Sequence, residues 1–202
     1  KPRRVKSGPH NLVSLSRGKW NVLPCDRSEF FNLYKAAAHT FTKNQYTAFT
    51  YRPPVDELQP LYIDVDIKTA TEIDTLTDMH HTLAIKIAGL FLTDGKEGAV
   101  DYMLVQKPGG YWKKVNHENV YCTGSHILFP GTHVSTDRAE KIRLAASEYI
   151  SEIFGHLDLV NSNDDVLDKR ITNRANGLMF LFDYKGKDCG GQYQVKVVGS
   201  LS

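Results

Sequence analysis

The sequence lacks the features that mark secreted, membrane-spanning or dinucleotide-binding proteins. Its three cysteines form no CxxC pair, and their odd number favours reduced thiols inside a cell over a disulfide framework. A zinc site made of Cys122, Cys189 and His117 would have poor ligand spacing. No apolar run reaches membrane-spanning length, and there is no signal peptide, GxGxxG motif or Walker A loop. We therefore expect an intracellular protein with no membrane partner.

The sequence also lacks a large excess of positive or negative charge. The 202 residues carry a formal net charge of +2, so binding to a nucleic acid would depend on local basic patches. Basic residues are frequent in 1–24, which we predict to be a lead segment, either solvated or in contact with phosphate. The main domain is predicted to span 25–202. Because the chain begins at Lys1 without methionine, we expect a fragment of a longer protein.

The spacing of apolar residues predicts a mixture of helices and strands. Helices are predicted over about 27–41 and 78–92, and a third begins near Asp137. Asp26 with Glu29, and Asp137 with Glu140, have the spacing of capping boxes. Strands are predicted at 46–52, 61–67, 102–106, 119–129, 178–182 and 193–198. This order predicts an α/β (α+β) fold with hairpins and crossovers.

One predicted strand carries two carboxylates. In 61–67, apolar residues alternate with Tyr62, Asp64 and Asp66, so the two acids point from the same face. Neighbouring carboxylates repel each other, and a divalent cation such as Mg²⁺ or Mn²⁺, which prefers oxygen ligands, would relieve that repulsion. An edge strand with two solvated aspartates is the alternative interpretation.

Two later features extend this pattern. Gly124-Ser125-His126 places a histidine in an otherwise apolar strand that ends at Pro130-Gly131. A core histidine is the structural alternative for His126. Val166-Leu167-Asp168 places a third acid behind two apolar residues. Basic residues follow at Lys169, Arg170, Arg174 and Lys185.

In this order the motifs resemble the catalytic core of archaeo-eukaryotic primases, and most closely the N-terminal primase domains of primase-helicases from large DNA viruses, poxviruses included. That family has a strand with two acids around one apolar residue, then a small-x-His motif, then an apolar-Asp motif. These motifs correspond here to 62–66, 124–126 and 166–168, and the resemblance covers about 28–198. The chain differs from many relatives at Gly124, where they have Ser, and at Met179, where they often have Arg.

The resemblance implies an RRM-like antiparallel sheet with helices and an N-terminal α/β module. It also implies a DNA-directed primase or primase-polymerase that makes primers on single-stranded DNA by two-metal nucleotidyl transfer. Mg²⁺ or Mn²⁺ would be held by Asp64, Asp66 and Asp168, and these acids and His126 would be catalytic. The nucleotide-binding residues implied are Ser125, His126, Arg170, Arg174 and Lys185. The implied partners are nucleoside triphosphates, a single-stranded DNA template and a helicase domain in the same chain, at sites of viral DNA replication.

Two other functions are compatible with the residues alone. A two-metal nuclease would use the same carboxylates but would need no triphosphate contact from His126 or Lys185. A non-catalytic module that binds single-stranded nucleic acid would keep the sheet without needing the three acids. Basic and aromatic residues of one predicted turn suit a single-stranded template, although a solvated surface turn has the same composition. They are Lys107, Tyr111, Trp112, Lys113 and Lys114.

Overall fold

The structure, a computed structural model, describes residues 3–5, 12–14, 18–42, 48–52, 57–95, 97–173, 178–179 and 191–202. The strands are β1 (Arg3–Val5), β2 (Leu12–Ser14), β3 (Gly18–Asn21), β4 (Phe49–Tyr51), β5 (Gln59–Thr69), β6 (Val100–Gln106), β7 (Tyr111–Val115), β8 (Glu118–Val134), β9 (Leu178–Met179) and β10 (Gln194–Leu201). The helices are α1 (Arg27–Ala38), α2 (Thr77–Thr93), α3 (Thr136–Ser147), α4 (Ile150–Phe154), α5 (Asn163–Val166) and α6 (Lys169–Thr172). The predicted α/β fold, with antiparallel sheets and helices, is confirmed. None of the helices in the described residues is long and apolar enough to span a membrane.

The main core lies on one face of the larger sheet. This sheet has the strand order β10-β6-β8-β5, and β7 pairs with the first part of β8. The apolar residues of β5 alternate with polar ones and are almost completely buried, as the period of a strand requires. They pack with apolar side chains of α2, α3 and α4, among them Leu83, Ile87, Ile142 and Phe154. The other face of β5 is therefore left for its polar residues.

The outer edge of β5 is covered by the chain that follows α4. Val65 forms an isolated antiparallel bridge with Leu167, and Thr69 forms one with Leu159. The last strand, β10, pairs with β6 at the far side of the sheet. This arrangement brings the residues before α6 against the middle of β5.

The smaller sheet has the strand order β1-β3-β2-β4-β9 and forms an N-terminal α/β module with α1. Leu12 and Val22 form its small core, against which Phe30 and Tyr34 of α1 pack together with Phe49. Strands β2 and β3 lie within the predicted lead segment 1–24, yet β2 pairs with both β3 and β4. These residues are thus part of the module.

Two details of the predicted elements are wrong. Neither capping box forms. Asp26 has helical backbone angles because it ends a 3-10 turn, and its side chain does not cap α1. Helix α3 is capped by Ser135, whose hydroxyl accepts a hydrogen bond from Arg138 N at 3.3 Å. Strand β8 continues through Pro130-Gly131 to Val134. The register between β5 and β8 shifts between Pro60, which pairs with His133, and Leu61, which pairs with Phe129. Residues 130–132 of β8 therefore form a bulge, which accommodates Pro130 because this residue has no N–H to donate.

Candidate active site

The two acids of β5 project from the face opposite the core. Register with β8 places Asp64 opposite His126 and Asp66 opposite Gly124. Asp64 is partly buried and Asp66 is exposed, whereas their apolar neighbours in β5 are inside. Directly opposed residues in an antiparallel pair share a face, so both acids and His126 lie on the same side of the sheet.

The third acid lies beside the first at the edge of β5. The backbone amide of Asp168 donates a hydrogen bond to the carbonyl oxygen of Asp64 over 3.0 Å. The neighbouring bridge between Val65 and Leu167 sets the same register. Asp168 also begins α6, and its carboxylate accepts from Arg170 N at 2.8 Å. Asp168 and Asp64, far apart in the sequence, thus become neighbours in the fold.

A buried arginine of α3 holds the segment that carries Asp168. Arg143 is 2% exposed, and its Nη1 donates to the carboxylate of Asp164 at 2.7 Å and to the carbonyl oxygen of Leu167 at 3.4 Å. Its Nε and Nη2 donate to Glu140 at 2.9 and 2.8 Å, and Glu140 also accepts from the Thr172 hydroxyl at 2.9 Å. The Arg143 guanidinium therefore links α3 to the residues before Asp168, and its partner Glu140 links α3 to Thr172 after Asp168.

These hydrogen bonds shift the proton affinities of the groups involved. The hydrogen bond from Arg143 lowers the pKa of Glu140, and the same cause lowers the pKa of Asp164. The bond with Glu140 is the largest cause that raises the pKa of Arg143. All three groups are therefore charged at neutral pH, which suits a clamp made of charge-assisted hydrogen bonds.

His126 lies between a carboxylate and an aromatic ring. It is 3% exposed, and its Nε2 lies 3.5 Å from the carboxylate of Asp64. Its ring stacks on Tyr193, with centroids 4.1 Å apart and an interplanar angle of 24°. The ammonium of Lys107 lies 4.9 Å from the centroid of the same tyrosine ring. Lys107, Tyr193 and His126 thus form a row that ends beside Asp64.

Ser125 does not belong to this face. Successive strand residues point to opposite faces, and the Ser125 hydroxyl, buried in the interior, forms a short hydrogen bond with Nδ1 of His80 in α2. The Ser125 side chain therefore points away from the face on which the sequence predicted nucleotide contacts. The small-x-His motif thus presents one side chain to each side of the sheet.

His80 was not identified from the sequence. It is fully buried against Phe154, with ring centroids 5.4 Å apart, and burial lowers its pKa to about 3. Its Nε2 has no hydrogen-bond partner among the described residues. The signal was present, because His80 precedes Leu83 and Ile87 at helical spacing and so lies in the buried stripe of α2.

Gly124 lies too close to β5 to carry a side chain. A Cβ at this position would lie 2.1 Å from the carbonyl oxygen of Val65 and 3.4 Å from the carboxylate of Asp66. The first distance is well inside van der Waals contact, and the atom it meets belongs to the backbone. The departure from the Ser found in many relatives therefore has a local steric reason in this chain.

A cleft of about 650 Å³ lies between the β7–β8 hairpin and the segment 160–170. Asp66 and Asp168 line it together with the basic residues Lys68, Lys169 and Arg170. Among the described residues, no group of three His, Cys, Asp or Glu side chains is arranged to hold a metal ion. Asp168 caps α6, and Asp64 faces His126.

The remaining predicted residues fall outside this cleft or outside the described residues. Arg174, Lys185 and Cys189 lie outside the described residues. Met179 is in β9, which pairs with β4 of the N-terminal module. Cys122 is buried in β8. Of the basic residues predicted to bind nucleotide, the structure thus brings Arg170 alone to the cleft in the part of the chain that it describes.

An antiparallel sheet with two acids on one strand, a histidine opposite them and a third acid at the strand edge defines a domain suited to phosphoryl-transfer chemistry. The family model described as the C962R protein N-terminal AEP domain matches residues 9–198. The chain belongs to this family of viral archaeo-eukaryotic primase (AEP) domains, as the sequence motifs predicted. The match includes β2 and β3, in agreement with their place in the N-terminal sheet. No curated protein matches the sequence.

Proposed function

We propose that this domain is a DNA-directed primase or primase-polymerase that synthesises primers on a single-stranded DNA template. Family membership supports a primase-type nucleotidyltransferase that interacts with nucleic acid and nucleoside triphosphates. The observation that carries the proposal is the hydrogen bond between Asp168 N and Asp64 O, because it joins the third acid to the strand that holds the other two. A role in viral DNA replication, alongside a helicase domain in a longer chain, is part of the proposal.

We propose Mg²⁺ or Mn²⁺ as the cofactor. Asp64, Asp66 and Asp168 would hold the ions, and their carboxylate oxygens are the ligands that these hard cations prefer, so the donor set fits. Since Asp168 caps α6 and Asp64 faces His126, we expect both side chains to change partners when a cation binds. When bound, the ions would neutralise charge on the attacking hydroxyl and on the departing pyrophosphate.

The basic groups around the acids are proposed to bind the triphosphate. His126 stands next to Asp64, and Arg170 lies at the cleft that Asp66 and Asp168 line. Charge-assisted hydrogen bonds from such groups to phosphate oxygens are stronger than neutral ones. Arg174 and Lys185 remain predicted contacts. These residues would orient the nucleotide with its α-phosphate toward the carboxylates.

The proposal is tested by incubating the chain with single-stranded DNA, labelled ribo- or deoxynucleoside triphosphates, and Mg²⁺ or Mn²⁺. Products that lengthen with time are expected, with and without a pre-annealed primer. An Asp64→Asn/Asp66→Asn double variant, purified in parallel, should give none. A shortened template would indicate a nuclease instead, and DNA binding without any product would indicate a non-catalytic module.

A further inference from the structure

The β7–β8 hairpin extends the face that carries the acids. Lys68 of β5 and Tyr111 of β7 both lie opposite Cys122 of β8, and Lys113 lies opposite Val120. Cys122 and Val120 precede Gly124, which lies opposite Asp66, at intervals of two along β8. Because a strand has a period of two, Lys68, Tyr111 and Lys113 share the face of Asp64 and Asp66.

The other residues of β7 point to the opposite face of the sheet. Trp112 lies opposite Tyr121, with ring centroids 5.4 Å apart, and Lys114 lies opposite Asn119. Lys113 and Lys114 are both exposed, so they differ in the face they occupy rather than in their access to solvent. The hairpin thus carries the same chemistry on two faces, of which only one leads to the acids.

Positive charge flanks the cleft on both sides. Lys68 lies on the wall formed by β5 and the hairpin, and Lys169 and Arg170 lie on the wall formed by the segment 160–170. Lys113 forms no ion pair with any residue that the structure describes. The ammonium of Lys107 lies 5.2 Å from the centroid of the Tyr111 ring and adds a further positive charge beside it. A chain of phosphates matches this distribution.

We propose that the hairpin face made by Lys68, Tyr111 and Lys113 binds the backbone of a single-stranded nucleic acid and leads it to the acids. Lys68 and Lys113 contact phosphates, and Tyr111 provides a ring on which a base stacks, an interaction that every base can make. The face made by Trp112 and Lys114 takes no part. That the bound single-stranded nucleic acid is the template rests on the proposed function, whereas the binding of a single-stranded nucleic acid to this face does not.

The experiment compares the two neighbouring lysines. A fluorescein-labelled oligo(dT) is titrated with the wild-type chain, Lys113→Gln or Lys114→Gln, in EDTA and without nucleotide, over a series of salt concentrations. Loss of one phosphate contact lowers the slope of log Kobs against log[salt] by about 0.7 for a single strand. We expect that change, with weaker binding, for Lys113→Gln and no change for Lys114→Gln.

A second pair of variants tests the aromatic contact. Tyr111→Leu is expected to weaken oligo(dT) binding about fivefold or more, the effect of losing one base stack, and Trp112→Leu is expected to leave it unchanged. Circular dichroism and thermal melts of all four variants verify that they are folded. Equal losses at positions 113 and 114, or no loss at position 113, would overturn the proposal. Absence of primer synthesis would not, because the assay contains neither metal nor nucleotide.

Discussion

The backbone amide of Asp168 donates to the carbonyl oxygen of Asp64 over 3.0 Å. The site is therefore assembled by two segments that meet only in the folded chain, β5 and the turn before α6. Anything that loosens this turn is expected to affect the third acid first.

Asp64→Asn and Asp66→Asn are each expected to abolish nucleotide incorporation. Binding of single-stranded DNA should survive or become tighter, because the substitution removes negative charge from a surface that faces phosphates. Primer-extension assays and fluorescence anisotropy measure the two effects on the same preparations. Asp137→Asn, at an exposed position of α3, serves as control. Full synthesis by the Asp64→Asn/Asp66→Asn double variant would refute the catalytic assignment.

His126→Ala and Lys185→Ala are each expected to weaken nucleotide binding by about 1.5–3 kcal/mol, the range for a lost charge-assisted hydrogen bond. DNA binding should change little. Equilibrium titration with a labelled nucleotide measures the effect, and His133→Ala, an exposed histidine of the same strand as His126, is the matched control. Unchanged nucleotide affinity in both variants would favour a nuclease, with His126 acting as a packing partner of Tyr193.

Gly124→Ala is expected to destabilise the fold by about 1–3 kcal/mol, the usual cost of forcing extra atoms into a packed site. The new Cβ would meet the carbonyl oxygen of Val65 and must push β5 and β8 apart beside Asp66. Urea denaturation measures the change. Gly131→Ala in the same strand meets no atom within 4 Å and should be close to neutral. Equal stabilities of the two variants would contradict the steric argument.

Arg143→Met is expected to lower the free energy of unfolding by about 3 kcal/mol, because it leaves Glu140 and Asp164 without their buried partner. Since both carboxylates are partly exposed, we expect the lower end of the usual range for such pairs. Arg138→Met, on the same helix, removes an exposed pair with Asp94 and should cost about 1 kcal/mol or less.

Hydrogen exchange separates local from global effects of Arg143→Met. Amides of α5 and α6 should exchange faster in this variant at a temperature where the rest of the core is still protected. Incorporation should then fall further than stability alone explains. If protection in α5 and α6 matches that of the wild type, Arg143 does not position Asp168.

His80 is expected to make stability depend on pH below its unfolded pKa of about 6.5. Burial keeps the pKa of His80 at about 3 in the folded chain, so between these values only the unfolded state binds the proton. The free energy of unfolding should therefore fall by about 1.4 kcal/mol per pH unit as pH decreases from 6.5. Above pH 6.5 the group is neutral in both states and contributes no slope.

Two variants isolate this contribution. Denaturation between pH 5 and 7 should show a reduced slope for His80→Asn, which keeps a polar partner for Ser125 without the titration. His156→Asn, at an exposed position, should retain the wild-type slope. If His80→Asn also retained the slope, the pH dependence would belong to other groups.

Local patterns in the sequence were sufficient for the parts of the site that lie within one element. The alternation along 61–67 predicts that Asp64 and Asp66 share a face opposite the core, because side-chain direction in a strand depends only on the period of two. Helical spacing likewise predicts α1, which ends at Ala38 rather than near 41, α2 to within one residue at each end, and the beginning of α3. The order of the motifs was sufficient to predict the family, since this prediction requires only the residue types and their order along the chain.

What joins separate segments was decided by the tertiary structure. The position of Asp168 beside Asp64 depends on a backbone hydrogen bond and on the clamp from Arg143, and no local pattern encodes either of them. The hydrogen bond between His80 and Ser125 also depends on packing, because it joins α2 to β8. Strands β2 and β3 are too short to show a period, and they are defined by pairing, β2 with β3 and β4, and β3 with β1 and β2. Side-chain periodicity is a property of neighbouring residues, whereas register and burial depend on distant ones.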